Sequence, residues 1–121
     1  MRVLIVDDDR AFATTFAALV ATSGHEVVDV VFSGLDAIRS YHKHRPAVVL
    51  MDYQMGRLNG LTACRNILSS DPAGRIVFLS GMGDEENLGS ASGAVAFLRK
   101  PIKVAELQEV LRNLERPESS S

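Results

Sequence analysis

Five short apolar runs punctuate the chain, at 2–6 (RVLIV), 26–32 (EVVDVVF), 47–51 (AVVLM), 75–79 (RIVFL) and 95–98 (VAFL). The first, third and fourth are nearly unbroken and rich in branched residues, the pattern of strands buried on both faces of a parallel sheet. The second is interrupted by Asp29 and the fifth is short, so both suit sheet edges, where one side can meet water. Between the runs the period becomes helical. Phe12, Phe16, Leu19 and Val20 fall at i, i+4, i+7 and i+8, with Gly24 as the stop. Leu35, Ile38 and Tyr41 mark a second helix, with Ser33 as its N-cap and Pro46 beyond its end. Leu61, Cys64, Ile67 and Leu68 mark a third that ends near SSDPAG, and Val104, Leu107, Leu111 and Leu114 mark the last. The stretch 83–93 (GDEENLGSASG) stands where one more helix is expected. Its acidic start suits a helix N-terminus. Gly89 and Gly93 would each cost roughly 1 kcal/mol relative to Ala inside a helix. Leu88 is its single large apolar residue, so this is predicted to be the least stable helix of the set.

Strand and helix alternating five times predict a parallel sheet with right-handed crossovers and helices on both faces. Edge positions for the second and fifth strands match the strand order 2-1-3-4-5. There is no internal repeat. The 121 residues are read as one domain with one ordinary core, spanning 1–115. The polar, proline-broken stretch 116–121 (RPESSS) is expected to be a disordered tail or the start of a linker.

Composition narrows the function classes. The net charge is −2 and the 13 basic residues are scattered, which gives no footprint for direct nucleic-acid binding. No apolar run approaches the roughly 18 residues a membrane span needs, and no signal-peptide segment is evident, so the expected location is cytoplasmic. Cys64 is the only cysteine, which excludes an internal disulfide or a zinc–thiolate cluster. In step with Leu61 and Leu68, it reads as a small core residue. His25, His42 and His44 lack ligand-spaced partners and read as exposed loop or helix-end residues.

In an open parallel sheet, chemistry gathers beyond the carboxyl ends of the strands. Asp7 and Asp8 follow the first run, Asp52 the third, Ser80 the fourth and Lys100 the fifth. In the predicted order, strands 1, 3, 4 and 5 bring three carboxylates, a hydroxyl and an ammonium to one shallow cleft. Asp9 is read as an ordinary acidic helix start. Crowded carboxylates repel, and one would keep a proton unless a cation intervened. A hard divalent ion such as Mg2+ relieves that crowding while retaining waters that a phosphate can replace. Asp52 can then attack a phosphoryl group whose oxygens are neutralised by the metal on one side and Lys100 on the other, giving an aspartyl phosphate.

These residues, in this order and each after a strand, resemble the response regulator receiver domains of bacterial two-component signalling, over roughly residues 2–115. The resemblance implies a flavodoxin-like (βα)5 three-layer α/β sandwich and a phosphoacceptor domain that catalyses only its own phosphorylation and dephosphorylation. By resemblance Asp52 is the phosphoacceptor, Asp8 a direct ligand of Mg2+ (with Mn2+ as a substitute) and Asp7 a ligand acting largely through water. The backbone carbonyl of Gln54 would be the third protein ligand. DYQMGRLNG (52–60) is similar to the family's Asp-x-x-Met-Pro-x-x-(Asp/Asn)-Gly turn, with Met55, Asn59 and Gly60 in place. Lys100, Ser80 and Gly81 correspond to the phosphoryl-binding positions, Ser80 and Phe97 to the switch pair, and Pro101 to the residue after a cis Lys–Pro bond. Tyr53, Gln54 and Met82 occupy positions that tune phosphate lifetime. The implied partners are a sensor histidine kinase or histidine phosphotransfer protein and a downstream output protein or domain, with the receiver itself a monomer or weak dimer. The chain departs from the pattern in three places: Gly56 replaces the usual proline, Tyr53 and Gln54 flank the acceptor with Met82 two beyond Ser80, and the stretch between Ser80 and Lys100 is about two residues short. That shortening alters the surface made by the 83–93 segment, the fifth strand and the last helix, so the family's usual dimer through that face is not expected.

Three other readings stay open at this level. Asp7 and Asp9 satisfy the D-x-D spacing of a haloacid-dehalogenase-like magnesium phosphohydrolase, although Ala11 stands where that motif wants Thr or Val. A flavin or nucleotide binder would need a Gly/Ser/Thr phosphate loop after strand 1, where three carboxylates stand instead. A degenerate receiver acting only as a docking module would have lost part of the acidic set.

Overall fold

The computed structural model describes residues 1–56, 59–81 and 93–115. In chain order the elements are β1 (Arg2–Val6), α1 (Arg10–Thr22), β2 (Glu26–Val31), α2 (Gly34–His44), β3 (Val48–Asp52), α3 (Gly60–Ser70), β4 (Ile76–Ser80), β5 (Ala96–Arg99) and α4 (Val104–Glu115). The strands form one parallel sheet in the order β2-β1-β3-β4-β5. The helix expected over 83–93, the tail at 116–121 and Met82 fall on or largely within residues outside those described.

Alternation along the strands builds two cores. Leu4, Val6, Val49, Met51, Ile76 and Phe78 face Ala37 and Tyr41 of α2 and Ala63, Cys64 and Ile67 of α3. Val3, Ile5, Leu50, Val77 and Leu79 face Phe16 and Val20 of α1 and Leu107 and Leu111 of α4. All residues of β3 and β4 are buried, as are Val3–Val6 of β1, because helices cover both faces of the central strands. Cys64 is buried among the apolar side chains, as its spacing suggested.

Helix starts follow the expected capping chemistry. Ser33 accepts a hydrogen bond from the Asp36 N–H, Asp9 from Phe12 and Asn59 from Thr62. Gly24, at φ +94°, closes α1 and donates its N–H to the Ala21 carbonyl. Two positions on the helical stripes lie outside the core. Leu35 is 51% exposed, because α2 presents Gly34, Ala37 and Tyr41 to the sheet and leaves Leu35 on the lip of the cleft. Val104 is 45% exposed, since α4 begins there and only its later turns, from Leu107 on, reach the core.

At the β2 edge, the Asp29 carboxylate accepts the neighbouring Val30 N–H at 2.9 Å and the Ser40 hydroxyl of α2 at 2.7 Å. On the same side of the sheet, the Tyr41 hydroxyl donates to Asp71 at 2.6 Å and ties α2 to the end of α3. Arg75 donates to the carbonyls of Ala47 and Leu114, joining β3 to the last turn of α4.

The return from β3 into α3 is tight. Gly60 donates to the Tyr53 carbonyl at 2.9 Å. A Cβ at Gly60 would lie 2.5 Å from the Asp52 carbonyl oxygen and 2.9 Å from that of Tyr53. Both neighbours are backbone, so neither can swing aside. Gly60→Ala is therefore expected to lower stability by about 2–3 kcal/mol. Urea denaturation measures this, and an unchanged midpoint would show that the loop yields freely.

Candidate functional site

The β2-β1-β3-β4-β5 order places the ends of β1, β3, β4 and β5 along one rim. Asp7 directly follows β1, Asp52 and Ser80 end β3 and β4, and Lys100 directly follows β5. Asp7, Asp8 and Asp52 each offer a carboxylate oxygen, and these oxygens lie within 4.8 Å of one another.

Each carboxylate is held differently. The Asp7 backbone N–H donates to the Val31 carbonyl, continuing the β1–β2 ladder. Its side chain is almost fully buried and accepts from the Asp9 N–H at 2.9 Å and from Lys100 Nζ at 2.8 Å. Asp8 is exposed, and its Oδ2 lies 3.4 Å from the Gly56 N–H. Asp52 is buried and receives Lys100 Nζ only at 3.5 Å. Lys100 is anchored by its backbone N–H, which donates to the Ser80 carbonyl at 2.7 Å, and the Lys100–Pro101 peptide bond is cis.

The electrostatics follow from this arrangement. Burial comes first in pushing the Asp52 carboxyl up to about 6, and the Asp7 charge adds to it; Lys100 opposes the shift, and Asp8 adds a smaller push upward. Burial works against the Lys100 ammonium, but its hydrogen bond to Asp7 and the charges of Asp52 and Asp7 outweigh that and raise its pKa. Arg10, the nearest cation in sequence, does not enter the cluster: its guanidinium lies over the Phe32 ring, 4.1 Å from the centroid.

Asp7, Asp8, Asp52 and Lys100 thus converge. Ser80 is buried at the end of β4, and Gly81 follows it. Gln54 is exposed two residues beyond Asp52. The Tyr53 ring turns into the core and packs edge-on against Phe78, centroids 5.3 Å apart. Phe97 is 40% exposed on β5 and stacks on Phe78 at 6.2 Å. Asp9 accepts the Phe12 N–H as the α1 N-cap, which leaves the D-x-D reading without its second carboxylate at the cluster. One neighbour of the site was not legible as such. Phe12 belongs to the apolar stripe of α1, yet its ring centroid lies 4.3 Å from Lys100 Nζ. Its place one turn beyond the acidic cluster was the available signal.

Comparisons with known proteins agree with this geometry. The model of the response regulator receiver domain family matches residues 3–112. The chain is 31% identical over 115 residues to the chemotaxis protein CheY of Thermotoga maritima, covering 93% of this chain and 96% of that protein. A response regulator receiver domain from Clostridium thermocellum superposes with a TM-score of 0.84 at 27% identity, over 93% of this chain and 92% of that one. The CheX–CheY–BeF3–Mg2+ complex from Borrelia burgdorferi gives a TM-score of 0.89 at 25% identity, over 97% and 90% of the two chains. A family match over residues 3–112, with a relative 31% identical over nearly its whole length, leaves one assignment: the chain belongs to the response regulator receiver domain family of two-component signalling.

Proposed function

We propose that this domain is a cytoplasmic phosphoacceptor that takes a phosphoryl group onto Asp52 from the phosphohistidine of a sensor kinase or phosphotransfer protein. The phosphorylated form then offers a changed surface to a downstream output protein or domain. The observation that carries the reading is the convergence of three carboxylates within 4.8 Å with a single ammonium beside them. Among the described residues no helix is long and apolar enough to cross a membrane.

The donor set fits Mg2+, with Mn2+ as a substitute. All donors are hard oxygens, and among the described residues three carboxylates face one ammonium. Burial first, and the Asp7 charge after it, raise the Asp52 pKa, so the charged form gains from a cation. Asp8 and Asp52 would hold the ion directly and Asp7 through water, with the Gln54 carbonyl as a further ligand. The ion, when bound, supplies charge neutralisation for phosphoryl oxygens. A carboxylate oxygen of Asp52 forms the new bond to phosphorus as the phosphorus–nitrogen bond breaks, its electron pair leaving with the donor's imidazole. Asp7 holds the Lys100 ammonium beside the phosphoryl position, so the stabilising charge is in place before transfer begins. Ser80 and Gly81 border that position from β4. Gln54 and Met82 would set how readily water reaches the phosphoryl group afterwards, while Tyr53, its ring buried against Phe78, would act there only indirectly. Magnesium, small acyl phosphates and the kinase partner are the reagents this reading calls for, and the magnesium-containing complex of the Borrelia relative supports the choice of metal.

Incubation with Mg2+ and acetyl phosphate is expected to add one phosphoryl group, seen by intact-mass spectrometry. Asp52→Ala should abolish it, and undiminished labelling of that variant would assign the site elsewhere.

The metal-free cluster has its own pH signature. The folded Asp52 carboxyl sits near 6 against an ordinary 3.8, so its contribution to stability is fully present below about pH 3.8 and is lost as pH rises through about 6. In EDTA at pH 7, Asp52→Asn is expected to be more stable than wild type by about 2 kcal/mol, with the gap closing below about pH 4. Millimolar Mg2+ should raise the wild-type melting temperature by linkage and leave Asp8→Ala unmoved. Parallel melting of all three proteins at every pH and metal concentration would sink the charge argument.

Phosphorylation adds acceptor oxygens beside the buried Ser80 hydroxyl, and its turn toward them frees space next to β5 that the Phe97 ring can enter. Phosphorylation-dependent chemical shifts at Phe97 are therefore expected in wild type and not in Ser80→Ala. Persistence of those shifts in the variant would break the coupling.

A further inference from the structure

Lys100 has three N–H donors, and the two carboxylates it reaches are not equally close: Asp7 at 2.8 Å and Asp52 at 3.5 Å. Its third neighbour is an aromatic face, the Phe12 ring, whose centroid lies 4.3 Å from Nζ. An ammonium over a benzene ring is attracted by the ring quadrupole, more strongly where water is partly excluded. The Lys100 side chain is only 26% exposed. Phe12 is itself fixed from two directions. It stacks on Phe16, centroids 5.4 Å apart and planes 18° from parallel, and Phe16 belongs to the buried core. Its N–H donates to Asp9 Oδ1 at 3.0 Å. The Asp9 N–H in turn donates to Asp7 Oδ1 at 2.9 Å, and Asp7 Oδ2 receives Lys100. Asp7, Asp9, Phe12 and Lys100 therefore close a circuit, joining the end of β1, the first turn of α1 and the end of β5. Its other wall is a groove of about 320 Å³ lined by Thr15, Leu19, Pro101 and Ile102 together with the two phenylalanines.

We infer that Phe12 is a positioning residue for phosphoryl transfer, holding the Lys100 ammonium beside Asp52 through its ring face; this rests on the phosphoacceptor reading above. The choice of a ring has a physical reason. Lys100 must redirect an N–H from Asp52 to an incoming phosphoryl oxygen. A carboxylate or amide at position 12 would compete for that N–H, whereas a π face attracts the charge without claiming a directional bond. The ring thus keeps the cation in place through the exchange. An aliphatic side chain there would fill the same space and leave the ammonium, once its N–H has left Asp52, tethered by Asp7 alone.

Phe12→Leu and Phe12→Tyr separate this role from packing, because both keep a large apolar side chain and only tyrosine keeps the ring face. The first measurement is NMR of the Lys100 side chain in the unphosphorylated protein. Wild type and Phe12→Tyr should show upfield ring-current shifts of the Lys100 ε-methylene that Phe12→Leu loses. The second is the rate of labelling by acetyl phosphate at saturating Mg2+, expected to fall about threefold in Phe12→Leu and to recover in Phe12→Tyr. Lys100 shifts that are the same in all three proteins would overturn the contact. Labelling of a folded Phe12→Leu at the wild-type rate, or equal slowing in Phe12→Tyr, would overturn the positioning role. If wild type itself takes no label, the phosphoacceptor reading fails and the positioning role falls with it, while the Lys100 shifts still decide whether the contact exists.

Discussion

A single ammonium at the carboxyl edge of the sheet balances a crowded set of acids. Lys100 Nζ lies 2.8 Å from the buried Asp7 and 3.5 Å from Asp52, while Asp8 stands exposed beside them. Putting that cation there requires most of the fold. β1 and β3 must be neighbours for Asp7 and Asp52 to meet, and β5 must lie on the same side of β3, beyond β4, for Lys100 to reach back. The reach is anchored by the Lys100 N–H on the Ser80 carbonyl, so the lysine is registered to β4 as well as to the acids. An unpaired buried carboxylate would be costly, and Asp7 avoids that cost through Lys100 and the Asp9 N–H.

The covering of the central strands explains how a rim of like charges can be tolerated. β3 and β4 are buried throughout, and their side chains lock into two separate cores on opposite faces. Burial of each large aliphatic side chain contributes about 1.5–3 kcal/mol, an upper-range figure because the unfolded chain is partly compact. Electrostatic strain at the rim is small beside the sum of such contributions. It is also local, confined to the ends of β1, β3 and β5.

The sheet order, the helical stripes, the Ser33 cap and the four charged residues were legible because each depends on local pattern: branched runs, i/i+3/i+4 spacing and polar residues at strand ends. Leu35 and Val104 read as core residues for the same reason, yet they are exposed, since periodicity marks a stripe but not how far the sheet extends beneath it. The grip of Lys100 on Asp7 rather than Asp52 depends on side-chain geometry across 93 residues of sequence, which no spacing rule encodes. Phe12 was hidden by its own plausibility. An aromatic residue on a helical stripe is ordinary, and only the arrival of β5 beside α1 brings a cation to its face.

The open edge of β2 carries a consequence for the protein among its own kind. A bare parallel edge presents backbone donors and acceptors to any passing strand. Here the Asp29 carboxylate takes the Val30 N–H, while its second oxygen is held by Ser40 and cannot drift away. An approaching strand would therefore meet a fixed negative charge in mid-edge in place of a vacant donor. The β2 edge is thereby made a poor template for the addition of a further strand at that point.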